Sequence, residues 1–293
     1  MSKSKVKTAY LCSSCGDQFA KWNGQCPSCN EWGTLAEYKV NTKSRSKSNG
    51  KAKNPSSLVD VLKEGVVKSQ GTGIREVDRV LGGGILPGSM TLLGGNPGIG
   101  KSTLALQIIP GLKYSVLYVS AEESEEQLAL RAKRLNISTK NIKLSTENNI
   151  ELIIDQLALI DPKLLVIDSI QNIYSNNADS IAGSPSQIRE CGQQLLAIAK
   201  QNKISVIVIG HVTKEGIIAG PRMLEHMVDT VLYLEGDSKF DHRILRSIKN
   251  RFGTTNEVGI FQMNELGLDE VTNPSQFFLS ERTLEVPGSA IFP

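Results

Sequence analysis

The segment Gly95-Asn96-Pro97-Gly98-Ile99-Gly100-Lys101-Ser102 constrains this chain more than any other. It has the form G-x-x-x-x-G-K-[ST], follows the apolar run Met90–Leu93 and leads into a helical pattern from Ser102 onward. Glycines at these positions let the backbone wrap a phosphate chain with its N–H groups turned inward, and the helix N-terminus behind them adds partial positive charge. In this strand-to-helix setting the motif implies a nucleoside triphosphate site, with ATP and Mg2+ as the expected ligands. Lys101 is expected to reach the outer phosphates, Ser102 to ligate Mg2+ and Thr103 to follow on the α-phosphate side. Gly95, Asn96, Pro97, Gly98, Ile99 and Gly100 form the cradle itself.

Around this segment short β-rich runs alternate with helical patterns. The pattern predicts strands at Met90–Leu93, Ser115–Ser120, Leu164–Asp168, Ser205–Gly210, Thr230–Leu234, Arg243–Lys249 and Glu257–Gln262, and helices at Ser102–Ile109, Ser124–Asn136, Ile150–Ile160 and Ser186–Asn202. Leu164–Ile167 and Val206–Ile209 are apolar at every position, as strands buried on both faces are. The order βαβα implies an α/β fold with a mainly parallel sheet. The later strands follow one another without long helices, which implies an antiparallel extension at one edge. Pro110 is expected to end or kink the helix after the phosphate loop, because proline costs about 3 kcal/mol inside a helix.

A phosphate site of this kind needs an acid at the end of a neighbouring strand. Leu164-Leu165-Val166-Ile167-Asp168 supplies one, and Asp168 is expected to hold Mg2+ through water. Hydrolysis also needs a group that polarises water. Glu122 and Glu123 follow the strand Ser115–Ser120, at the same carboxyl edge as the phosphate loop. Position alone does not choose between them.

Four of the five cysteines lie near the N-terminus as Cys12-x-x-Cys15 and Cys26-x-x-Cys29, ten residues apart. Each pair can form a knuckle with two thiolates on one turn, and two knuckles complete a tetrahedral four-thiolate shell for Zn2+. Such a shell leaves no open position, so its role is structural. Cys191 stands alone on a helical pattern and reads as a small buried hydrophobe. The expected organisation is a zinc-binding module at 8–38, a flexible basic linker at 39–57, an ATPase domain at 58–275 and a tail at 276–293. The linker carries Lys39, Lys43, Arg45, Lys47, Lys51 and Lys53 with no acidic residue, and cannot bury enough surface to order itself. No apolar run reaches the roughly 20 residues of a membrane span, and no apolar stretch follows the basic N-terminus, so a cytoplasmic protein without membrane contact is expected. The net charge of +3 in 293 residues is nearly balanced, which leaves any nucleic-acid contact to local clusters.

Taken together these motifs resemble the bacterial RadA/Sms family, relatives of the RecA recombinase. The resemblance rests on the cysteine module with Lys21-Trp22-x-Gly24-Gln25-Cys26-Pro27 and Trp32-Gly33-Thr34-Leu35, on Thr72-Gly73-Ile74 through Leu81-Gly82-Gly83-Gly84-Ile85, on the phosphate loop and on Lys249-Asn250-Arg251-Phe252-Gly253. It implies a RecA-like P-loop ATPase core behind a zinc-ribbon-like module. It further implies a DNA-dependent ATPase that binds single-stranded and branched DNA, drives branch migration alongside the RecA recombinase and self-associates into a ring of six. By matching position Glu122 is the water-activating glutamate and His211 a γ-phosphate sensor. Lys249 and Arg251 are the cations that reach the ATP of a neighbouring subunit; the residues themselves add the expectation that Phe252 anchors their turn in the core. Tyr174–Gln187 and Thr213–Arg222, with Lys214 and Arg222, fall where such ATPases place mobile DNA-binding loops. The family normally continues into a Lon-protease-like domain, near whose expected start this chain ends. The competing reading on the same core is an ATP-switched signalling protein or autokinase of the KaiC type, without DNA motor activity.

Overall fold

The structure is a computed structural model. It describes residues 6–13, 17–41, 55–63, 65, 67–137, 140–178, 180–211, 222–236 and 241–273.

The N-terminal strands β1 (Val6–Cys12), β2 (Gln18–Phe19) and β3 (Leu35–Asn41) form an antiparallel sheet in the order β2-β1-β3. The sheet runs from Val6, paired with Asn41, to Cys12, paired with Leu35. It thus continues three residues beyond the expected module limit at 38 and into the segment expected as linker. Its small core consists of Cys12, Cys26 and Leu35, with Tyr10, Phe19 and Cys29 packed against them.

The second unit begins with the helices α1 (Leu58–Lys63) and α2 (Arg75–Leu81), followed by β4 (Met90–Gly95), α3 (Lys101–Gln107), β5 (Val116–Ser120), α4 (Glu125–Arg134), β6 (Ile142–Ser145), α5 (Ile150–Ile160), β7 (Leu164–Asp168), α6 (Pro185–Asn202) and β8 (Ser205–His211). It closes with α7 (Arg222–Met227), β9 (Thr230–Glu235), β10 (His242–Asn250), β11 (Val258–Asn264) and β12 (Gly267–Glu270). Nine strands form one sheet in the order β12-β11-β10-β9-β4-β8-β7-β5-β6. The six strands from β9 to β6 are mutually parallel, and β10, β11 and β12 extend the sheet antiparallel.

The continuous apolar runs are explained by two cores, one on each face. Val116 and Tyr118 of β5, Leu164 and Val166 of β7, and Ile207 and Ile209 of β8 pack with residues of α2 and α3. The alternate residues Leu117, Val119, Leu165, Ile167, Val206 and Val208 pack with α5 and α6. Successive side chains of a strand point to opposite faces, so a strand covered on both sides must be apolar throughout. The helix after the phosphate loop ends at Gln107, and Pro110 sits in a 3-10 turn over Ile109–Gly111. Helix α4 starts on a full capping box, in which Ser124 and Gln127 satisfy each other's backbone N–H groups.

Candidate functional site

In a parallel sheet all strand carboxyl ends lie at one edge, and the register here aligns the ends that matter. Ser120 pairs with Asp168, and Gly95 pairs with His211. The phosphate loop therefore leaves β4 beside Glu122, Asp168 and His211, around a cleft of about 400 Å3 that also admits Lys101, Ser102 and Thr103. A larger cavity of about 660 Å3 opens between Val67, Leu81, Ile85 and Phe252. Its apolar lining carries none of the phosphate-binding groups, so the smaller, polar cleft is the chemical site.

Two loop glycines have a steric reason. Gly95 has φ 152°, and a Cβ there would meet the Leu234 carbonyl oxygen at 2.5 Å; Gly100 has φ 115°, and its Cβ would meet Met263 at 2.6 Å. A larger residue at Gly95 would push the loop off β9, and at Gly100, where the Met263 methyl can yield, the positive φ itself favours glycine. Arg243 of β10 braces the same loop, donating from Nε to the Ile99 carbonyl at 3.1 Å.

Lys101 opens α3 and is only 4% exposed. Its ammonium donates to the carbonyls of Gly95 and Asn96, both at 2.9 Å. Burial pushes its pKa down to about 8, against the opposing charges of Asp168 and Glu122. Asp168 ends β7, and its Oδ2 accepts the Tyr118 hydroxyl at 2.6 Å. Tyr118 is fully buried in β5. Burial first and the Asp168 charge second hold its hydroxyl far above the ordinary tyrosine range, so it stays a proton donor. That bond leaves the other Asp168 oxygen for a hydrated cation, and the hard oxygen donors of Asp168 and Ser102 suit Mg2+. The Asp168–Ser169 peptide is cis.

The geometry separates the two glutamates. Glu122 Oε1 accepts the Ser169 hydroxyl at 2.5 Å and lies 3.0 Å from His211 Nε2. Burial raises its pKa, but the bonds from Ser169 and His211 and the charge of Lys101 outweigh burial and leave the carboxyl below its usual range. It is therefore an ionised acceptor beside the phosphate loop. Glu123 is held by Arg131 at 2.5 Å, with its own N–H donated to Ser120 Oγ. His211 Nδ1 is buried with no hydrogen-bond partner among the described residues.

Lys249 and Arg251 lie elsewhere. Because β10 is antiparallel to β9, Asn250 pairs with Thr230, which pairs with Thr91 at the start of β4. The two cations thus sit at the edge opposite their own phosphate loop. Lys249 Nζ donates to the carbonyls of Glu225, His226 and Val228 at 2.6, 3.2 and 2.8 Å, capping the end of α7. Burial and the neighbouring Arg251 lower its pKa, and Asp229 and Glu225 only partly offset them. Arg251 lies 3.6 Å from the buried carboxylate of Asp229. Phe252 is 46% exposed and so does not anchor this turn in the core, contrary to expectation. Asn250 holds the turn instead: it donates to the Leu81 carbonyl at 3.1 Å and accepts the Phe252 N–H at 2.9 Å.

Within Tyr174–Gln187, where the sequence suggested mobility, the described residues form a hydrogen-bonded cluster, and Asp179 lies outside the described residues. Gln187 is 2% exposed, its amide donates to the carbonyls of Ser175, Ala178 and Ser180, and Ser175 bonds Glu151 at 2.5 Å. Of Thr213–Arg222, residues 213–221 with Lys214 lie outside the described residues, and Arg222 begins α7. Cys191 is buried, which raises its thiol pKa to about 12 and matches an inert packing role.

At the N-terminus the Sγ atoms of Cys12, Cys26 and Cys29 lie within 4.8 Å of one another, with Cys12 and Cys29 3.7 Å apart. A disulfide would require about 2.0 Å. A tetrahedral shell with Zn–S bonds of about 2.3 Å separates its sulfurs by roughly 3.8 Å, so the cluster fits zinc. Cys15 lies outside the described residues.

Tyr118, Ser169, Arg131 and Arg243 were not singled out from sequence. Tyr118 and Arg243 read as ordinary strand residues, and only strand register reveals what they touch.

Residues 55–216 match a family profile described as an AAA domain, and residues 10–37 match one described as a rubredoxin metal binding domain. A structure of the RadB recombinase superposes with TM-score 0.54 at 27% identity, covering 69% of this chain and 99% of that one. A KaiC-like protein from Pyrococcus horikoshii superposes with TM-score 0.57 at 21% identity, covering 70% of this chain and all of the other. The chain is thus a RecA-like P-loop protein of the AAA-domain class with a zinc ribbon ahead of its core. The DNA repair protein RadA of Listeria monocytogenes is 49% identical over 99% of this chain, which spans 65% of that relative's length. The chain belongs to the RadA family of DNA repair proteins.

Proposed function

We propose that this chain hydrolyses ATP to drive processing of recombination intermediates. In this reading it binds single-stranded and branched DNA, promotes branch migration with the RecA recombinase in the cytoplasm, and works as a ring of six. The observation that carries the proposal is the convergence of Lys101, Ser102, Asp168 and Glu122 on one cleft at the sheet's carboxyl edge. Lys101 exchanges its two loop carbonyls for the β- and γ-phosphates. Ser102 and Asp168 hold Mg2+, which neutralises phosphate charge when bound. Glu122, ionised and fixed by Ser169 and His211, orients the attacking water and receives its proton. His211 senses the γ-phosphate. Lys249 and Arg251, remote from their own cleft, act on the ATP of the next subunit.

A KaiC-type signalling role has only the shared fold behind it, at 21% identity. Turnover measured with and without single-stranded DNA tests the proposal. DNA is expected to raise hydrolysis, and Lys101→Ala is expected to abolish it while the fold stays intact. Near-normal hydrolysis by folded Lys101→Ala would remove the phosphate-site assignment, and turnover indifferent to DNA would favour the signalling reading.

A further inference from the structure

Both tryptophans of the chain lie in the zinc ribbon, and both are exposed, Trp22 by 59% and Trp32 by 74%. They share one seat. A Cβ on Gly24 would lie 3.5 Å from the Trp32 ring and 3.8 Å from the Trp22 ring, so both indoles rest against the same stretch of backbone. That stretch is held by the second cysteine knuckle. Gly33 donates its N–H to the Gly24 carbonyl at 2.8 Å, Cys26 donates to the Glu31 carbonyl at 2.9 Å, and Gln25 bridges to Trp32. The rings are therefore presented on a rigid loop with no core role, since the ribbon core is Cys12, Cys26 and Leu35 with their neighbours.

We propose that Trp22 and Trp32 form a stacking site for unpaired nucleic-acid bases. Two observations select this ligand over a protein partner. The chain neighbours of the two tryptophans, Lys21, Asn23 and Glu31, are exposed and polar. Hot spots between proteins sit in well-packed pockets ringed by contacts that exclude water, whereas bases need only a π-face and an open approach. The second observation is charge. Residues 1–57 hold ten of the chain's 33 lysines and arginines and three of its 30 acidic residues, so this stretch carries +7 and the remainder −4. The ribbon itself balances Lys7, Lys21 and Lys39 against Asp17, Glu31 and Glu37, and the excess lies in the sequence that flanks it on both sides. A polyanion is drawn to the end of the chain that carries the tryptophans. The site deepens the DNA-binding reading above and rests on it.

Zinc-loaded protein with an unlabelled oligothymidylate gives a direct measurement, because every intrinsic tryptophan signal arises at this site. Emission is expected to be quenched as the oligomer binds, and an abasic oligomer of equal length is expected to bind without the same quenching. Trp22→Ala and Trp32→Ala, checked for retained zinc, are each expected to weaken binding by about 5- to 150-fold, and Trp32→Phe to restore most of it. Fluorescence anisotropy of a labelled oligomer reports binding anywhere on the chain. If anisotropy rises while tryptophan emission and the alanine variants' affinities stay unchanged, the site is wrong and the DNA reading survives. If anisotropy does not rise even at low salt, the DNA reading falls and takes the site with it. Loss of binding to the RecA recombinase in Trp22→Ala and Trp32→Ala, with oligomer binding unchanged in both, would make the surface a protein dock and overturn the proposal.

Discussion

Glu122 and Glu123 are adjacent carboxylates with different surroundings, and chemistry follows the surroundings. Glu122 accepts from Ser169 and His211 within the cleft, while Glu123 is committed to Arg131. Glu122→Gln is therefore expected to bind ATP normally and lower turnover about 100-fold or more, the usual weight of a positioned base. Glu123→Gln is expected to keep most turnover, and the reverse pattern in single-turnover assays would reassign the base. Tyr118 sits behind the metal acid. Tyr118→Phe removes the 2.6 Å bond to Asp168 and keeps the ring that fills the core. Stability is expected to fall by about 1–3 kcal/mol. The more specific expectation is weaker divalent-ion affinity in the nucleotide complex, read by Mn2+ paramagnetic resonance, with metal-free nucleotide binding unchanged. A stability loss with unaltered ion affinity would reduce Tyr118 to a packing residue.

Among the elements, the zinc ribbon depends most on something other than its own packing. Three of the six residues of its small core are cysteines, and structural zinc supplies roughly 10–16 kcal/mol in comparable small modules. Cys26→Ser is expected to release the metal and unfold residues 8–38. The ATPase core should melt unchanged, because neither of its two apolar clusters includes a ribbon residue. Metal analysis alongside calorimetry checks both halves: retained zinc denies Cys26 as a ligand, and a lowered core transition denies independence.

Legibility also divides at this scale. Helix α5 and strand β7 were read to the residue, because strong apolar patterns end at clear breaks. The phosphate loop was readable because its backbone geometry demands particular residues at fixed spacing. Strand β6, with only Ile142–Ser145, and helix α2, with Arg75–Leu81, went unread, since four to seven residues hold too little periodicity. What braces the site was hidden for another reason. Arg243 meets Ile99 across 144 positions of chain and Tyr118 meets Asp168 across 50, and no local pattern encodes such meetings. Phe252 misled because an apolar residue beside glycine suggests a buried anchor, whereas Asn250 does that work through its amide.

For the whole molecule the decisive fact is that Lys249 and Arg251 stand at the wrong edge of the sheet for their own ATP. The strand pairings place Lys249 level with Leu92, three residues before the phosphate loop begins at Gly95, or about 10 Å along the strand, with Arg251 beyond it. Both are also engaged within their own subunit, Lys249 by three carbonyls at the end of α7 and Arg251 by Asp229. In the proposed trans role a cation serving a neighbour would have to exchange these partners for a phosphate, which would make ring formation a condition of fast hydrolysis. Transition-state charge stabilised in trans is worth about 10³- to 10⁵-fold in related phosphoryl transfers. Lys249→Ala or Arg251→Ala is thus expected to lower DNA-stimulated turnover far more than ATP binding. The capping role offers a rival account, in which Lys249→Ala merely loosens α7. Mixing Lys249→Ala with Lys101→Ala subunits separates the two. Each variant alone is expected to show little DNA-stimulated turnover, but in mixed rings some interfaces pair an intact phosphate loop with an intact Lys249, and turnover should partly return. A structural defect confined to each subunit would leave the mixture as inactive as its parts, so no recovery in rings shown to contain both variants would place the action of Lys249 within its own chain.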